Sequence, residues 1–203
     1  GNSGVHLAEY NFVQALAQYC KEQNILLIID EVQTGIGRTG KMWAYEHFNI
    51  QPDMVAIAKA LAGGIPIGAL IASEQVATAF GYGDHGTTFG GNPFACSIAL
   101  EVLGIIEDEE LLKRANKLGS YFMSRFRFLS NKHSCITDVR GLGLMIGVEF
   151  DQPTRPIVDK WAELGVLSNA AGGNALRIVP PLTISQELID VSVEKLDILL
   201  EQF

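Results

Sequence analysis

The chain has 203 residues, 48% of them hydrophobic, a formal net charge of -8 and three cysteines. That length suits one large domain or two small ones around a real core, and the acidic balance argues against nucleic acid, whose phosphates reward a basic face. Cys20, Cys96 and Cys135 are too few and too scattered for a disulfide framework and fit free thiols in a reducing cytoplasm; the four histidines lack metal-ligand spacing, and no apolar run reaches the ~18–20 residues of a membrane span.

The chain opens on the loop Gly1-Asn2-Ser3-Gly4, without Met and without a signal peptide, and reads as part of a longer protein. Phe12, Leu16 and Tyr19 recur at helical spacing within residues 8–23. Ile25 to Ile29 is a continuous apolar run ending at Asp30-Glu31, the pattern of a parallel strand buried on both faces. A glycine-rich loop over residues 35–40 leads to a short helix at 42–48. A second apolar run, Met54 to Ala58, ends at Lys59, and a third strand is predicted over 67–72. Residues 81–91 hold five glycines and form a loop; Asn92-Pro93 then opens a long helix, Asn as cap and Pro in the first turn, with a break near Asp108 and an end near Leu129.

After residue 130 the character changes. Residues 136–139 and 144–150 read as strands joined by Gly141-Leu142-Gly143, residues 158–164 as a helix, and 176–179 as a strand closed by Pro180-Pro181. Ser185 caps a final amphipathic helix. The expected architecture is α/β: residues 1–130 as half of a large domain with a mainly parallel sheet, residues 131–203 as a small α+β domain.

Two segments resemble nucleotide loops. Gly35-Ile-Gly-Arg-Thr-Gly40-Lys41-Met42 comes within one residue of the phosphate loop, but Met42 has no hydroxyl for Mg²⁺. Gly141-x-Gly143-x-x-x-Gly147 leads into a strand rather than a helix and reads as a turn.

Ligands of parallel sheets bind beyond the carboxyl ends of the strands. Asp30 and Lys59 stand at two such ends, so an acid and an amine can face one ligand; a structural ion pair, or two unrelated surface residues, is the alternative. Lys59 ends an apolar strand, where desolvation favours the neutral amine that attacks an aldehyde. Val32, two residues past Asp30, falls on the same strand face, and Glu31 points the other way into the structure.

Three long stretches in register, Leu27 to Gly40, Pro52 to Ala69 and His85 to Pro93, resemble class III aminotransferases of fold type I, over essentially the whole chain and matching the C-terminal half. The resemblance implies pyridoxal 5'-phosphate as cofactor and Lys59 as the catalytic Schiff-base lysine. It makes Asp30 the partner of the pyridine nitrogen, places Val32 against the ring and gives Gln33 to the ring hydroxyl. Thr87 and Thr88 lie before the Asn92-Pro93 helix start, where hydroxyls and free N–H groups favour an anion, and the resemblance has Thr88 reach the cofactor phosphate of a neighbouring subunit in a homodimer. Arg177 matches the arginine that binds the substrate α-carboxylate by two parallel hydrogen bonds. Asn2 stands where the family has Glu in Gly-Glu-x-Gly-Val, and an amide cannot form that glutamate's ion pair with the arginine.

The implied reaction moves an amino group from an ω-amine donor, N-acetylornithine before ornithine, succinylornithine or 4-aminobutyrate, to 2-oxoglutarate. A glutamate-semialdehyde aminomutase and a non-catalytic relative are the competing readings; the set Asp30, Gln33, Lys59 and Thr88 speaks against the latter. The family's other half brings the main phosphate loop and the ring that stacks on the cofactor, so these 203 residues alone are expected to bind it poorly.

Overall fold

A computed structural model describes residues 1–201. The chain forms two compact units: one comprises Ala8–Gly37 and Lys41–Glu110, the other Gly1–Leu7, Arg38–Gly40 and the chain from Leu111 onward.

The first unit carries α1 (Tyr10–Glu22), β1 (Ile28–Asp30), β2 (Met54–Ile57), β3 (Ala69–Ala72), the single turn α2 (Glu74–Ala77) and α3 (Pro93–Asp108), with 3-10 turns at Ala44–Phe48 and Lys59–Ala62. β1 and β2 are parallel, with Asp30 level with Ala56; β3 runs antiparallel to β2, so the sheet is mixed. Asp53 sets the register. Its carboxylate accepts the Leu27 N–H at 2.8 Å and its own N–H donates to the Leu27 carbonyl at 2.9 Å. Asn92 caps α3 by accepting the Ala95 N–H at 2.9 Å, with Pro93 in the first turn.

β2 is the interior strand, with Val55 and Ile57 buried. β1 is shorter than the predicted run and lies at the sheet edge, where Ile28 is 56% exposed. The expectation of a strand buried on both faces therefore fails for β1, whose one strand neighbour among the described residues is β2 and whose Ile28 and Asp30 stand exposed. The apolar stripe of α1 is exposed as well, at Phe12, Leu16 and Tyr19.

The second unit is an antiparallel sheet of β4 (Ile136–Leu142), β5 (Met145–Phe150), β6 (Asn169–Ala171) and β7 (Ala175–Ile178) in the order β4-β5-β7-β6, with α4 (Leu111–Lys132), α5 (Arg155–Glu163) and α6 (Gln186–Leu200). Phe122, Phe126, Val148, Phe150, Ile157, Trp161, Leu176, Ile189 and Leu196 form its core. On α4, one turn apart, Phe122 and Phe126 stack at 4.8 Å, and the Trp161 indole donates to the Ser192 carbonyl at 3.2 Å. Ser185 caps α6 by accepting the Leu188 N–H. The predicted division at residue 130 assigns α4 to the first part; its apolar face packs instead with the later strands, and the units divide at Glu110.

The phosphate-loop look-alike is spent on packing. Thr39 is buried, the Leu144 N–H donates to the Arg38 carbonyl at 3.0 Å, and the Asn116 amide donates to the Gly40 carbonyl at 2.7 Å. The Arg38 guanidinium donates to the carbonyls of Leu144 and Pro180. No helix among the described residues is long and apolar enough to cross a membrane.

Candidate active site

Within the first unit the β1–β2 pair puts an acid and an amine at one sheet edge. Asp30 is the last residue of β1; Lys59 follows the end of β2, three residues beyond the level of Asp30. That spacing corresponds to at most about 10 Å of extended chain. The Asp30 carboxylate is exposed and fixed by its own backbone: Oδ1 accepts the Val32 N–H at 2.9 Å, an Asx-type turn.

This turn changes the reading of Val32. The ladder continues for one bond past β1, from the Glu31 N–H to the Ala56 carbonyl, and the chain then turns, with the Gly35 N–H donating to the Glu31 carbonyl, both at 2.9 Å. Val32 thus lies in a turn, and the alternation of strand faces does not place it; the hydrogen bond to Asp30 does. Val32 and Gln33 are both half-buried beside it. Glu31 is structural as expected: only 1% exposed, it accepts the Thr34 hydroxyl and the Tyr45 N–H.

Lys59 has a backbone φ of +47°, in the left-handed region. A non-glycine residue there carries a cost and needs surroundings that enforce it, and such positions cluster at functional sites. Here Lys59 begins the 3-10 turn Lys59–Ala62, against which α3 packs, with Leu61 and Ala62 buried. The side chain of Lys59 is exposed and makes no hydrogen bond or ion pair among the described residues. The desolvation expected from a buried strand end is therefore not supplied by this chain: the buried strand stops at Ile57 and the amine projects beyond it.

Thr87 and Thr88 lie on the exposed loop before α3. The Thr87 hydroxyl accepts the Gly90 N–H at 3.2 Å. Both threonines lie ahead of the α3 cap Asn92, and among the described residues neither bonds to Asp30 or Lys59.

Arg177 lies in the second unit, on β7. Its Nη1 donates to Asn2 Oδ1 at 2.7 Å and its Nη2 to Asn169 Oδ1 at 3.5 Å. Asn2 offers an uncharged acceptor, so its contact with Arg177 is an ion–dipole bond and not an ion pair. Asn169 escaped the sequence reading because β6 is three residues of weak strand pattern, and only its pairing with β7 sets Asn169 opposite Arg177.

The residues present fit pyridoxal phosphate by their chemistry. An exposed, uncommitted primary amine and a backbone-fixed carboxylate flank one sheet edge, with half-buried Val32 and Gln33 next to the acid.

Residues 1–200 match the family model of class-III aminotransferases. The acetylornithine aminotransferase of Methanothermobacter thermautotrophicus is 46% identical over 196 residues, 97% of this chain and 50% of that protein. The ornithine aminotransferase of Macrococcus caseolyticus is 41% identical over 196 residues, 96% of this chain and 49% of its own length. Among solved structures, the acetylornithine aminotransferase of Elizabethkingia anophelis superposes with a TM-score of 0.93 at 37% identity, covering all of this chain and 52% of that one. An ornithine aminotransferase of Toxoplasma gondii, described with partial occupancy of PLP at its active site, gives 0.92 at 36% identity over 98% of this chain and 49% of its own. The chain spans about half the length of these relatives. A match over residues 1–200 makes the chain a member of the class-III aminotransferases.

Proposed function

We propose that this chain carries the lysine-bearing part of a pyridoxal-phosphate-dependent ω-amine aminotransferase, with N-acetylornithine the favoured donor, ornithine the alternative and 2-oxoglutarate the acceptor. The observation that carries the reading is the pairing of β1 with β2, which presents Asp30 and Lys59 at one edge of the sheet. The names of the relatives at 41–47% identity support the choice of donor.

When bound, pyridoxal phosphate supplies an aldehyde that condenses with amines and a ring that accepts the electrons left when a carbon loses its proton. Lys59 Nζ is the covalent anchor. The same Nζ would serve as the acid–base that moves a proton at the donor carbon, one residue acting as nucleophile and as acid–base. Asp30 Oδ1 is tied to the Val32 N–H, and its carboxylate would hold a proton on the ring nitrogen. Val32 would pack on the ring and Gln33 would bond its hydroxyl. Thr87 and Thr88 receive phosphate, Thr88 from a partner subunit in a homodimer, and Arg177 receives the substrate α-carboxylate.

The decisive experiment is Lys59→Ala in the full-length protein carrying this chain. Turnover of N-acetylornithine with 2-oxoglutarate is expected to fall by at least ~10²–10⁴-fold, the span of a lost acid–base group. Borohydride reduction of the unaltered protein should add the cofactor mass to the peptide containing Lys59. Normal turnover in the variant, or cofactor mass on another peptide, would overturn the assignment.

A further inference from the structure

One row of residues crosses the antiparallel sheet of the second unit. Arg140 on β4 is level with Gly147 on β5, Gly147 with Arg177 on β7, and Arg177 with Asn169 on β6. Residues in register across neighbouring strands share a sheet face, so this face carries two arginines separated by a gap where Gly147 has no side chain.

The chain near its beginning lies in that gap. A Cβ on Gly147 would come within 2.5 Å of the Gly4 carbonyl oxygen and 3.1 Å of Val5 Cβ, and one on Gly172 within 2.3 Å of the Ser3 carbonyl oxygen. Arg140 grips the segment from one side. Its Nε donates to the carbonyls of Gly4 and Val5 at 3.0 and 3.1 Å, and its Nη2 to Gly4 at 2.7 Å. Nη1 pairs with Asp138 at 2.8 Å and with Glu149, so the guanidinium is itself held in place. From the other side, Arg177 Nη1 meets Asn2 Oδ1. Between them Val5 has φ of +60° and is only 3% exposed. A β-branched residue in the left-handed region is an outlier that persists only where its surroundings fix it.

We propose that Arg140 is a positioning residue for Arg177. By fixing the carbonyls of Gly4 and Val5 it sets where the Asn2 amide meets the Arg177 guanidinium, and so sets the orientation in which Arg177 meets a carboxylate. The proposal rests on the carboxylate-binding reading of Arg177 given above. It explains why two nitrogens of a mostly buried arginine make three hydrogen bonds to two backbone carbonyls within three residues of the Asn2 that Arg177 contacts.

The test joins a spectroscopic and a kinetic reading. In the full-length protein, Arg140→Gln is expected to shift the Arg177 Nη–H signals in ¹⁵N–¹H spectra and speed the exchange of the Nη1 hydrogen that meets Asn2 roughly ten-fold, the equivalent of one lost hydrogen bond. Arg140→Lys should give an intermediate shift, because one ammonium lacks the planar fork that reaches the two carbonyls and the Asp138 and Glu149 carboxylates together. Asn2→Ala should move the Arg177 signal too, and adding Arg140→Gln to it should change little more, which keeps the test open if Arg140→Gln folds poorly. Arg155→Gln, on the exposed face of α5, is the control.

In the full-length protein, Arg140→Gln should raise KM about ten-fold for ornithine, which bears an α-carboxylate, by the same loss. It should leave KM for 1-aminobutane, which lacks one, where it was. An unmoved Arg177 signal in both Arg140 variants, or equal KM changes for the two amines, would overturn the proposal. Absence of transamination in the unaltered protein would overturn the proposed function instead, while the Arg177 signal would still decide the role of Arg140.

Discussion

Asn2 and Arg177, 175 positions apart in the chain, meet through a 2.7 Å hydrogen bond from the guanidinium to the side-chain carbonyl. The acceptor is neutral, so a carboxylate arriving at Arg177 competes with an amide dipole and not with a fixed negative charge. The bond is charge-assisted through the guanidinium alone; on the proposed reading of Arg177, the absence of a second, opposite charge sets how readily the arginine is available.

Asn2→Glu puts a carboxylate at this point. An exposed ion pair contributes up to about 1 kcal/mol, so KM for an α-carboxylate-bearing donor should rise about five-fold. An amine without the carboxylate should be unaffected. Steady-state kinetics with ornithine and 1-aminobutane check this, and an unchanged KM for ornithine would remove Asn2 from the site.

Asp30 has two roles that substitution separates. Asn at this position keeps an oxygen for the Val32 N–H and loses the charge; Ala loses both. Asp30→Asn should leave the urea midpoint nearly unchanged and cut turnover by about 10²–10³-fold, the scale of one lost electrostatic stabiliser. Asp30→Ala should in addition destabilise the fold by about 1 kcal/mol for the broken turn bond. Full activity in Asp30→Asn would show that the charge does no chemistry.

Asp197 links α6 to the end of α4. It hydrogen-bonds His133 and lies 2.9 Å from the Lys132 ammonium, and these partners, His133 first, hold its carboxyl below the ordinary 3.8. A carboxyl with a lowered folded pKa binds fewer protons folded than unfolded. Its contribution is therefore present above the ordinary value and is lost as pH falls through the lower, folded one. Urea midpoints of the chain should decline below about pH 4. Asp197→Asn should start from a lower midpoint at neutral pH and decline less steeply; parallel acid limbs in the two proteins would contradict this.

The features legible in the sequence are those built by a few adjacent residues. Asn92 and Pro93 mark a helix start because an amide oxygen and a fixed φ satisfy a helix end locally; Ser185 does the same for α6. The break between α3 and α4 also stands at the expected place, with Glu110 in a left-handed conformation between them. The acid was readable as a strand end, whereas the amine lies two residues past the end of β2, in a 3-10 turn; the parallel pairing of β1 with β2 puts both at the carboxyl ends of these strands.

By itself the sequence determined which residues end strands, cap helices and turn the chain, since these depend on hydrogen bonds and dihedral limits within a few residues. The tertiary structure alone decided that Arg140, Gly147, Arg177 and Asn169 form one row, that Asn2 reaches Arg177, and that Arg38 and Gly40 serve packing rather than a phosphate. It also decided that β1, apolar as it is, stands exposed at an edge. Burial and long-range pairing depend on what else the chain brings to a surface, and local residue pattern carries no record of that.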